Sequence, residues 1–265
     1  MPIYQNTISG ALYQVTNDSV QRGLIIANDA YGNKSTVTFF FRKSTKDGTE
    51  IPDRDDSKFV KWNEGAEFKT DNATIRIPPG ALYRDISFHY SKIPSPSVFS
   101  DTLIIHKESE PLHKKFTIKL TPDSIPKSLE SKLILARIDG NNKLSSEGGE
   151  WINGQLNVYT RNFGKFIIVA DTLAPIIVPE NFTENGEFLK GQKITFKVED
   201  ELSGLKSYNA YIDNKWALLE YDAKSHTMSY TIDNEKLDSG KIHSLKLHLV
   251  DMKNNIAVFE SQFNY

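Results

Sequence analysis

The sequence has 265 residues, of which 32 are Lys or Arg and 34 are Asp or Glu, so its formal net charge is −2. This balance gives no electrostatic footprint for nucleic acid or for an anionic membrane, and neither is expected as a partner. The chain has no cysteine, which excludes disulfides, thiolate metal sites and cysteine nucleophiles.

Short alternating runs of β-branched and aromatic residues follow one another along the chain, separated by clusters of Gly, Pro, Asn and Asp. Helical periodicity is nearly absent, and the nearest candidate is one turn within 124–132. This pattern predicts an all-β protein built from tandem β-sandwiches. In chain order the predicted strands lie near 10–15, 23–28, 35–43, 66–70, 73–79, 85–93, 102–107, 114–122, 131–139, 150–160, 165–171, 192–200, 205–213, 215–222, 226–233, 243–251 and 256–264.

Two segments interrupt the strand pattern and predict domain boundaries. The first, RKSTKDGTEIPDRDDSK, is polar and charged, and the second, ADTLAPIIVPENF, contains Pro175 and Pro179. Proline has no N–H to donate to a sheet, so it favours edges and connectors. The expected pieces are 1–44, 45–171 and 172–265.

A repeated turn suggests what the first piece is. The run from Asp29 to Asn33 (DAYGN) aligns without a gap with DMKNN at 251–255, and an alternating strand follows each. Such a turn joins late strands of a sandwich, where Asp caps it and Gly or Asn adopts positive φ. We therefore expect residues 1–44 to be the C-terminal remnant of an immunoglobulin-like sandwich. Its alternating residues Ile25, Ala27, Val37, Phe39 and Phe41 would then be left exposed.

Two-residue turns are predicted at two further places. Asp213-Asn214 and Asn153-Gly154 each separate alternating runs, and these residue types tolerate the positive φ that tight hairpins need. Trp216 follows the first of these turns directly. Because large aromatic residues dominate cores, we expect Trp216 to pack inside the sandwich.

Three parts of the chain resemble known families. The segment TDNATIRIPPGALYRDISF (70–88) resembles the signature of ZU-type β-sandwiches. The segments DTLAPII, FKVEDELSGLKSYNAYIDNKW and LVDMKNN, all within 171–255, resemble bacterial immunoglobulin-like modules. The order of these modules resembles the C-terminal region of lysostaphin-type (LytM-like) zinc metallopeptidases of the Bacteroidetes. This implies a ZU-like sandwich at 45–171 and an immunoglobulin-like sandwich at 172–265.

The resemblance implies a non-catalytic accessory region that positions or docks an upstream zinc peptidase domain, absent from this chain. The implied location is the cell envelope, periplasmic or surface-exposed, with peptidoglycan, a glycan or an envelope protein as partner. The N-terminal MPIYQNTISG lacks the features of a signal peptide, and no run of about 18 apolar residues predicts membrane insertion. The alternative is a free-standing surface adhesin-like or carbohydrate-binding module.

No catalytic residue and no bound cofactor is predicted within this chain. A LytM-type zinc site needs an H-x-H pair and a further histidine and aspartate, and neither H-x-H nor H-E-x-x-H occurs here. G-x-S-x-G and the P-loop are also absent. The histidines are His89, His106, His113, His226, His243 and His248.

One metal site is considered, at the start of the last piece. Asp171 opens the linker, and Asp200 and Glu201 end a predicted strand. Carboxylates gathered at a junction can supply the oxygen ligands that Ca²⁺ prefers. The alternative is a solvated strand end with a turn capped by Asp200.

A glycan-binding face would require exposed aromatic residues in a shallow strip. Tyr208 and Tyr211 are three residues apart, so on a regular strand they face opposite sides, and no ladder of alternate aromatics emerges there. The sequence therefore favours core positions for most of these rings. The aromatic residues considered are Trp62, Trp151, Tyr208, Tyr211 and Tyr221.

Overall fold

The structure, a computed structural model, describes residues 18–43, 58–95, 99–122 and 124–265. The chain divides into two compact units, Met1–Arg54 and Asp55–Tyr265. Strands form nearly all the regular structure of the described residues, and a 3-10 helix at Lys127–Lys132 lies where a helical turn was predicted. The prediction of an all-β fold of tandem β-sandwiches is confirmed.

The described part of the first unit is an antiparallel hairpin of β1 (Gln21–Asn28) and β2 (Lys34–Phe41). The carboxylate of Asp29 caps its turn, because Asp29 Oδ1 accepts the backbone N–H of Asn33 at 2.8 Å. Gly32 adopts φ +84°, a conformation that favours glycine. The turn chemistry predicted from the repeat is therefore present.

Apolar side chains of this hairpin are exposed on both of its faces. Of the residues expected to be exposed, Phe41 is half-buried and the other four are exposed. The strand predicted at 10–15 and the boundary near residue 45 lie outside the described residues. The exposed large apolar side chains of β1 and β2 are Leu24, Ile25, Ile26, Val37, Phe39 and Phe40.

The second unit begins with a sandwich of two five-stranded sheets and a two-stranded one. One sheet has the order β11-β10-β14-β8-β7, the other β12-β13-β9-β5-β4, and β3 pairs with β6. All these pairings are antiparallel. The strands are β3 (Lys58–Val60), β4 (Ala66–Lys69), β5 (Ala73–Ile77), β6 (Ile86–Phe88), β7 (Tyr90–Ile93), β8 (Thr102–Ile105), β9 (Phe116–Leu120), β10 (Leu133–Ile138), β11 (Leu144–Ser146), β12 (Glu150–Ile152), β13 (Gln155–Thr160) and β14 (Gly164–Ala170).

Alternation of apolar and polar residues places one side of each strand in a common core. In β5 the residues Ala73, Ile75 and Ile77 are buried, whereas the intervening Arg76 is exposed. A cluster of phenylalanine rings fills the centre, with Phe68 and Phe88 stacked at 4.2 Å between centroids. Aromatic burial on this scale is a major source of stability for such a sandwich.

The second sandwich also has two sheets around a single core. One sheet has the order β15-β17-β21-β20 and the other β16-β23-β22-β18-β19, in which β16 and β23 are parallel. Buried side chains of both sheets form one cluster that includes Phe196, Leu247 and Phe263. The strands are β15 (Ile176–Pro179), β16 (Gly186–Glu187), β17 (Lys193–Glu199), β18 (Leu205–Ile212), β19 (Lys215–Ala217), β20 (Glu220–Asp222), β21 (Thr227–Thr231), β22 (Ile242–Asp251) and β23 (Ile256–Asn264).

The hairpin between β18 and β19 confirms one prediction and corrects another. Asp213 and Asn214 both have positive φ, 49° and 62°, as a two-residue turn requires. However, Trp216 is 61% exposed, so the expectation that it packs in the core is wrong. The turn pairs Trp216 with Tyr211, whose strand neighbour Ile212 points into the core. Strand alternation therefore directs Trp216 outward.

Candidate functional site

Two of the three residues predicted to bind calcium lie together, and the third does not join them. Asp171, Asp200 and Asp251 each place a carboxylate oxygen within 4.8 Å of the others. Glu201 is exposed and is not part of this group. Asp251 was missed by sequence reasoning, although its place at the head of the repeated turn was the available signal.

Backbone N–H groups already bind the three carboxylates of this acidic cluster. Asp171 Oδ2 accepts from Ser203 at 3.0 Å, and Asp251 Oδ1 accepts from Asn255 at 2.8 Å. Burial raises the pKa of the Asp200 carboxyl, although a hydrogen bond from Gly204 N opposes the rise. Each aspartate therefore fixes the conformation of a loop, which is the role of a turn cap.

The ammonium of Lys253 supplies positive charge beside the acidic cluster. Lys253 is only 7% exposed, and its Nζ donates to the carbonyl of Gly149 at 2.6 Å. Burial lowers the pKa of Lys253, while Asp171, Glu150 and Asp251 favour its charged form. A calcium ion held by Asp171, Asp200 and Glu201 stays a prediction.

The same turn joins the two sandwiches of the second unit. Lys132 Nζ donates to the carbonyl of Lys253 at 2.7 Å and to Asn255 Oδ1 at 2.6 Å. Asn255 Nδ2 in turn donates to the carbonyl of Asp171 at 3.1 Å. These bonds connect residues more than 80 positions apart in sequence, so the acidic cluster and its lysine have a clear structural role.

A second feature lies on the outer face of the sheet that contains β18, β19 and β22. Tyr211 of β18 pairs with Trp216 of β19 on one side and with Lys246 of β22 on the other. The ring of His248 meets that of Tyr211 edge-on, with centroids 6.3 Å apart. Trp216, Tyr211 and His248 therefore place three ring-bearing side chains on neighbouring positions of β19, β18 and β22.

A cavity of about 470 Å³ opens beside Trp216. Buried Ile212 and Leu237 contribute apolar lining, and burial raises the pKa of the Tyr230 phenol on its wall. We call this cavity and the neighbouring outer face the Trp216 site. It comprises Tyr211, Lys215, Trp216, Leu218, Tyr230 and Lys236.

The charges that line the cavity are unequal. Its one carboxylate, Asp213, is already engaged: Oδ2 contacts His243 Nδ1 at 2.6 Å and Oδ1 accepts from Ser244 N at 2.9 Å. Burial alone would raise the pKa of Asp213, but the contacts with His243 and Ser244 outweigh burial and lower this pKa. Lys215 and Lys236 are exposed. Neither takes part in an ion pair with the described residues.

The aromatic residues considered from the sequence occupy different environments. Tyr208 and Tyr221 are half-buried against the core of the second sandwich, with ring centroids 5.9 Å apart. Trp151 packs against the core of the first sandwich and donates from Nε1 to Glu130 Oε2 at 2.9 Å. Trp62 is exposed. The two-residue turn, which pairs positions 211 and 216, was the sequence signal that could have revealed the Trp216 site.

The histidines do not assemble a metal site in the part of the chain that the structure describes, where the three aspartates are the only cluster of potential ligands. His106 lies between Phe88 and Phe163, and burial lowers its pKa. His243 contacts Asp213. These two side chains belong to the packing and hydrogen bonding of their sandwiches.

One family model matches the first sandwich. Residues 57–171 match the family model of the Zu5-like domain, and the matched range contains the segment 70–88 that resembles a ZU-type signature. This supports a ZU-type module in that part of the chain. Among curated proteins, none matches this sequence. Among the described residues, no helical segment has the length and hydropathy that a membrane-spanning helix requires.

Two solved structures show weak similarity. One is SGBP-B of the mixed-linkage glucan utilization locus of Bacteroides ovatus, in complex with a mixed-linkage heptasaccharide: 9% identity, TM-score 0.22, covering 94% of this chain and 53% of that one. The other is a polysaccharide lyase: 6% identity, TM-score 0.23, covering 91% of this chain and 39% of that one. This chain therefore spans about half the first structure and less of the second. TM-scores this low establish neither a common arrangement nor a common ligand.

Proposed function

We propose that this chain is a non-catalytic glycan-binding region and that the Trp216 site is its binding surface. The observation that carries the proposal is Trp216 itself, a tryptophan 61% exposed on β19, directly after a two-residue turn and beside a cavity. Exposed apolar patches rimmed by polar residues mark interaction surfaces, and Trp216 and Leu218 are both exposed at this cavity. A concave site with a few polar groups is the usual setting for a small ligand.

The geometry of the site suits a sugar ring. A pyranose presents C–H groups on one face and hydroxyls around its edge, so it can cover an indole while its hydroxyls remain hydrated or hydrogen-bonded. Trp216 offers the flat apolar surface, and the indole N–H adds a donor. Pairing with β18 fixes the backbone that carries the ring, so only the side chain has to be ordered when a ligand binds.

We further infer that this region is an accessory part of a cell-envelope metallopeptidase. In this setting it would dock an upstream zinc domain to peptidoglycan or another envelope glycan. The support is the module order, in which a ZU-type sandwich precedes the two turns of the family resemblance, Asp213-Asn214 and Asp251–Asn255. Both turns carry structural roles here. Genomic sequence upstream of the first codon tests this, because an in-frame H-x-H motif is expected there and its absence would contradict the inference.

Binding to a panel of insoluble and soluble polysaccharides, peptidoglycan included, tests the glycan proposal. We expect the wild-type chain to bind at least one glycan and W216A to bind it roughly tenfold or more weakly. W62A is the matched control, because Trp62 is an exposed tryptophan of the other sandwich. The proposal fails if no glycan binds, or if W216A and W62A bind as well as the wild type.

A further inference from the structure

We infer that the Trp216 site selects an acidic saccharide, one whose carboxylate group faces Lys215 and Lys236. This inference rests on the proposed glycan-binding function and specifies the chemistry of its ligand.

The lining of the cavity has an excess of positive charge, although the whole chain has a formal net charge of −2. Of the charged groups that line it, Lys215 and Lys236 are cationic and Asp213 is anionic. The Asp213 carboxylate keeps its negative charge while it contacts His243 and Ser244, so two cations and one anion leave the lining with a formal charge of +1. A cleft with an excess of one sign of charge attracts ligands of the opposite sign.

Other lysines of the second sandwich do pair with carboxylates. Lys193 contacts Glu220 at 3.4 Å, and Lys241 contacts Asp238 at 2.7 Å. Lys215 affects the pKa of Asp238 only through its more distant charge, because Lys241 forms the ion pair with that carboxylate. Two cations without a partner therefore border the same cavity in the described residues.

Both lysines are placed by ordered backbone. Lys215 begins β19 and pairs with buried Ile212 directly across the two-residue turn. Lys236 lies in a turn in which its N–H donates to the carbonyl of Asp233 at 3.1 Å. The next residue, Leu237, is buried and anchors that turn to the core. The positions from which the two ammonium groups reach the cavity are thus fixed by the fold.

Trp216 and the lysines together define the ligand. A sugar ring that covers the indole brings its ring substituents towards the cavity beside it, where an anionic substituent gains charge-assisted hydrogen bonds. A neutral hexose could accept hydrogen bonds from the ammonium groups but would leave their positive charge unbalanced. An acidic peptide would contact the two lysines without covering the indole. Binding of a peptide should therefore not depend on Trp216, whereas binding of a saccharide should.

The test compares acidic polysaccharides with their own neutral derivatives. Polygalacturonate, alginate and hyaluronan, each with its carboxyl-reduced form, are titrated into the full chain at low salt. We expect at least one acidic polymer to bind, and its reduced form to bind about tenfold more weakly. K215Q/K236Q should lower affinity for that acidic polymer about tenfold, and W216A should lower it as well.

The control variant is K190Q/K224Q, which removes the same two charges from exposed lysines outside the cavity. It should bind as the wild type does, and all variants should melt at similar temperatures. If the reduced polymers bind as tightly as the acidic ones, or K215Q/K236Q changes nothing, the acidic ligand is wrong while loss of binding in W216A still supports the glycan proposal. If no polymer of either series binds, the acidic ligand is wrong, and the wider glycan panel decides the glycan proposal separately. If poly-glutamate displaces the polymer and binds W216A unchanged, the ligand is peptide and the inference is overturned.

Discussion

At the scale of single residues, the structure places one histidine in an environment that opposes its protonation. His106 is 8% exposed and lies against Phe88 and Phe163, and its Nδ1 has no hydrogen-bond partner among the described residues. Burial lowers its pKa in the folded state below the ordinary value near 6.5. The unfolded chain therefore binds this proton more readily than the folded chain.

The sign of the pH effect follows from that difference. A lowered folded-state pKa means that stability is retained above the unfolded value and is lost as pH falls through 6.5 towards the folded pKa. We predict that H106N reduces the loss of unfolding free energy between about pH 7.5 and pH 5.5. One proton contributes at most about 1.4 kcal/mol per pH unit. Urea unfolding at a series of pH values measures the slope, so any constant cost of the substitution does not matter.

His226 provides the matched control for this prediction. Its φ of +57° is close to the +53° of His106, and asparagine tolerates both. Its side chain is exposed, so H226N should leave the pH slope as in the wild type. A wild-type slope in H106N would show that His106 does not carry the pH dependence.

Trp216 shows how far residue-level reasoning from the sequence can go. Composition alone favours a buried tryptophan, and the hairpin that turns it outward was itself correctly predicted from Asp213-Asn214. The missing step was the pairing of 211 with 216, which follows from a two-residue turn. Lys236, by contrast, comes to the cavity from a turn distant in sequence, and no local pattern predicts that approach.

At the scale of elements, the turn Asp251–Asn255 connects the two sandwiches through buried polar bonds. The existence of the turn was predicted from its repeat, but its contacts with Lys132 and Gly149 depend on residues more than 100 positions away. Only the packing of one sandwich on the other can show them. Asp251 joins the acidic cluster within the second sandwich, because its pairing with Leu205 brings it near Asp200, whereas Glu201, the sequence-predicted member, is exposed.

We predict that K253M destabilises the chain by about 3 kcal/mol. Removing one partner from a buried charged group leaves the remaining charges uncompensated, which commonly costs about 3–5 kcal/mol. Here the Gly149 carbonyl would lose its donor, and Asp171 and Asp251 would lose a neighbouring cation. Urea denaturation measures the change, and K190M, at an exposed lysine, should be near neutral. If K253M changed the unfolding free energy as little as K190M does, Lys253 would not stabilise the junction.

The calcium prediction has a specific test at the same junction. An ion that binds only the folded chain must raise its melting temperature, so melting in millimolar Ca²⁺ should exceed melting in chelator. Two variants make the test specific to the acidic cluster. D251N removes a carboxylate of the cluster and should abolish the rise in melting temperature, whereas E201Q changes a residue outside the cluster and should not. Equal melting curves of the wild type in the two solutions would end the calcium assignment.

At the scale of the whole molecule, stability should reside in the two sandwiches. Their cores are formed by residues from Val60 to Ile168 and from Phe182 to Phe263, and no described residue of the β1–β2 hairpin belongs to either. The all-β class and strand positions followed from alternation and turn residues in the sequence. Strand order within each sheet did not, because it depends on pairings between distant segments such as β5 with β9.

We therefore predict that deleting residues 1–44 leaves 45–265 folded and less prone to self-associate. Two strands alone are marginal in water, and burying a side chain such as Phe40 contributes roughly 1.5–3 kcal/mol. The exposed apolar side chains of the hairpin, among them Ile25 and Phe40, therefore favour contact with another chain. Circular dichroism melting should show an unchanged cooperative transition, and light scattering after gel filtration should show less oligomer. Loss of the cooperative transition would mean that the segment contributes to a core, and that the predicted boundary near residue 45 is wrong.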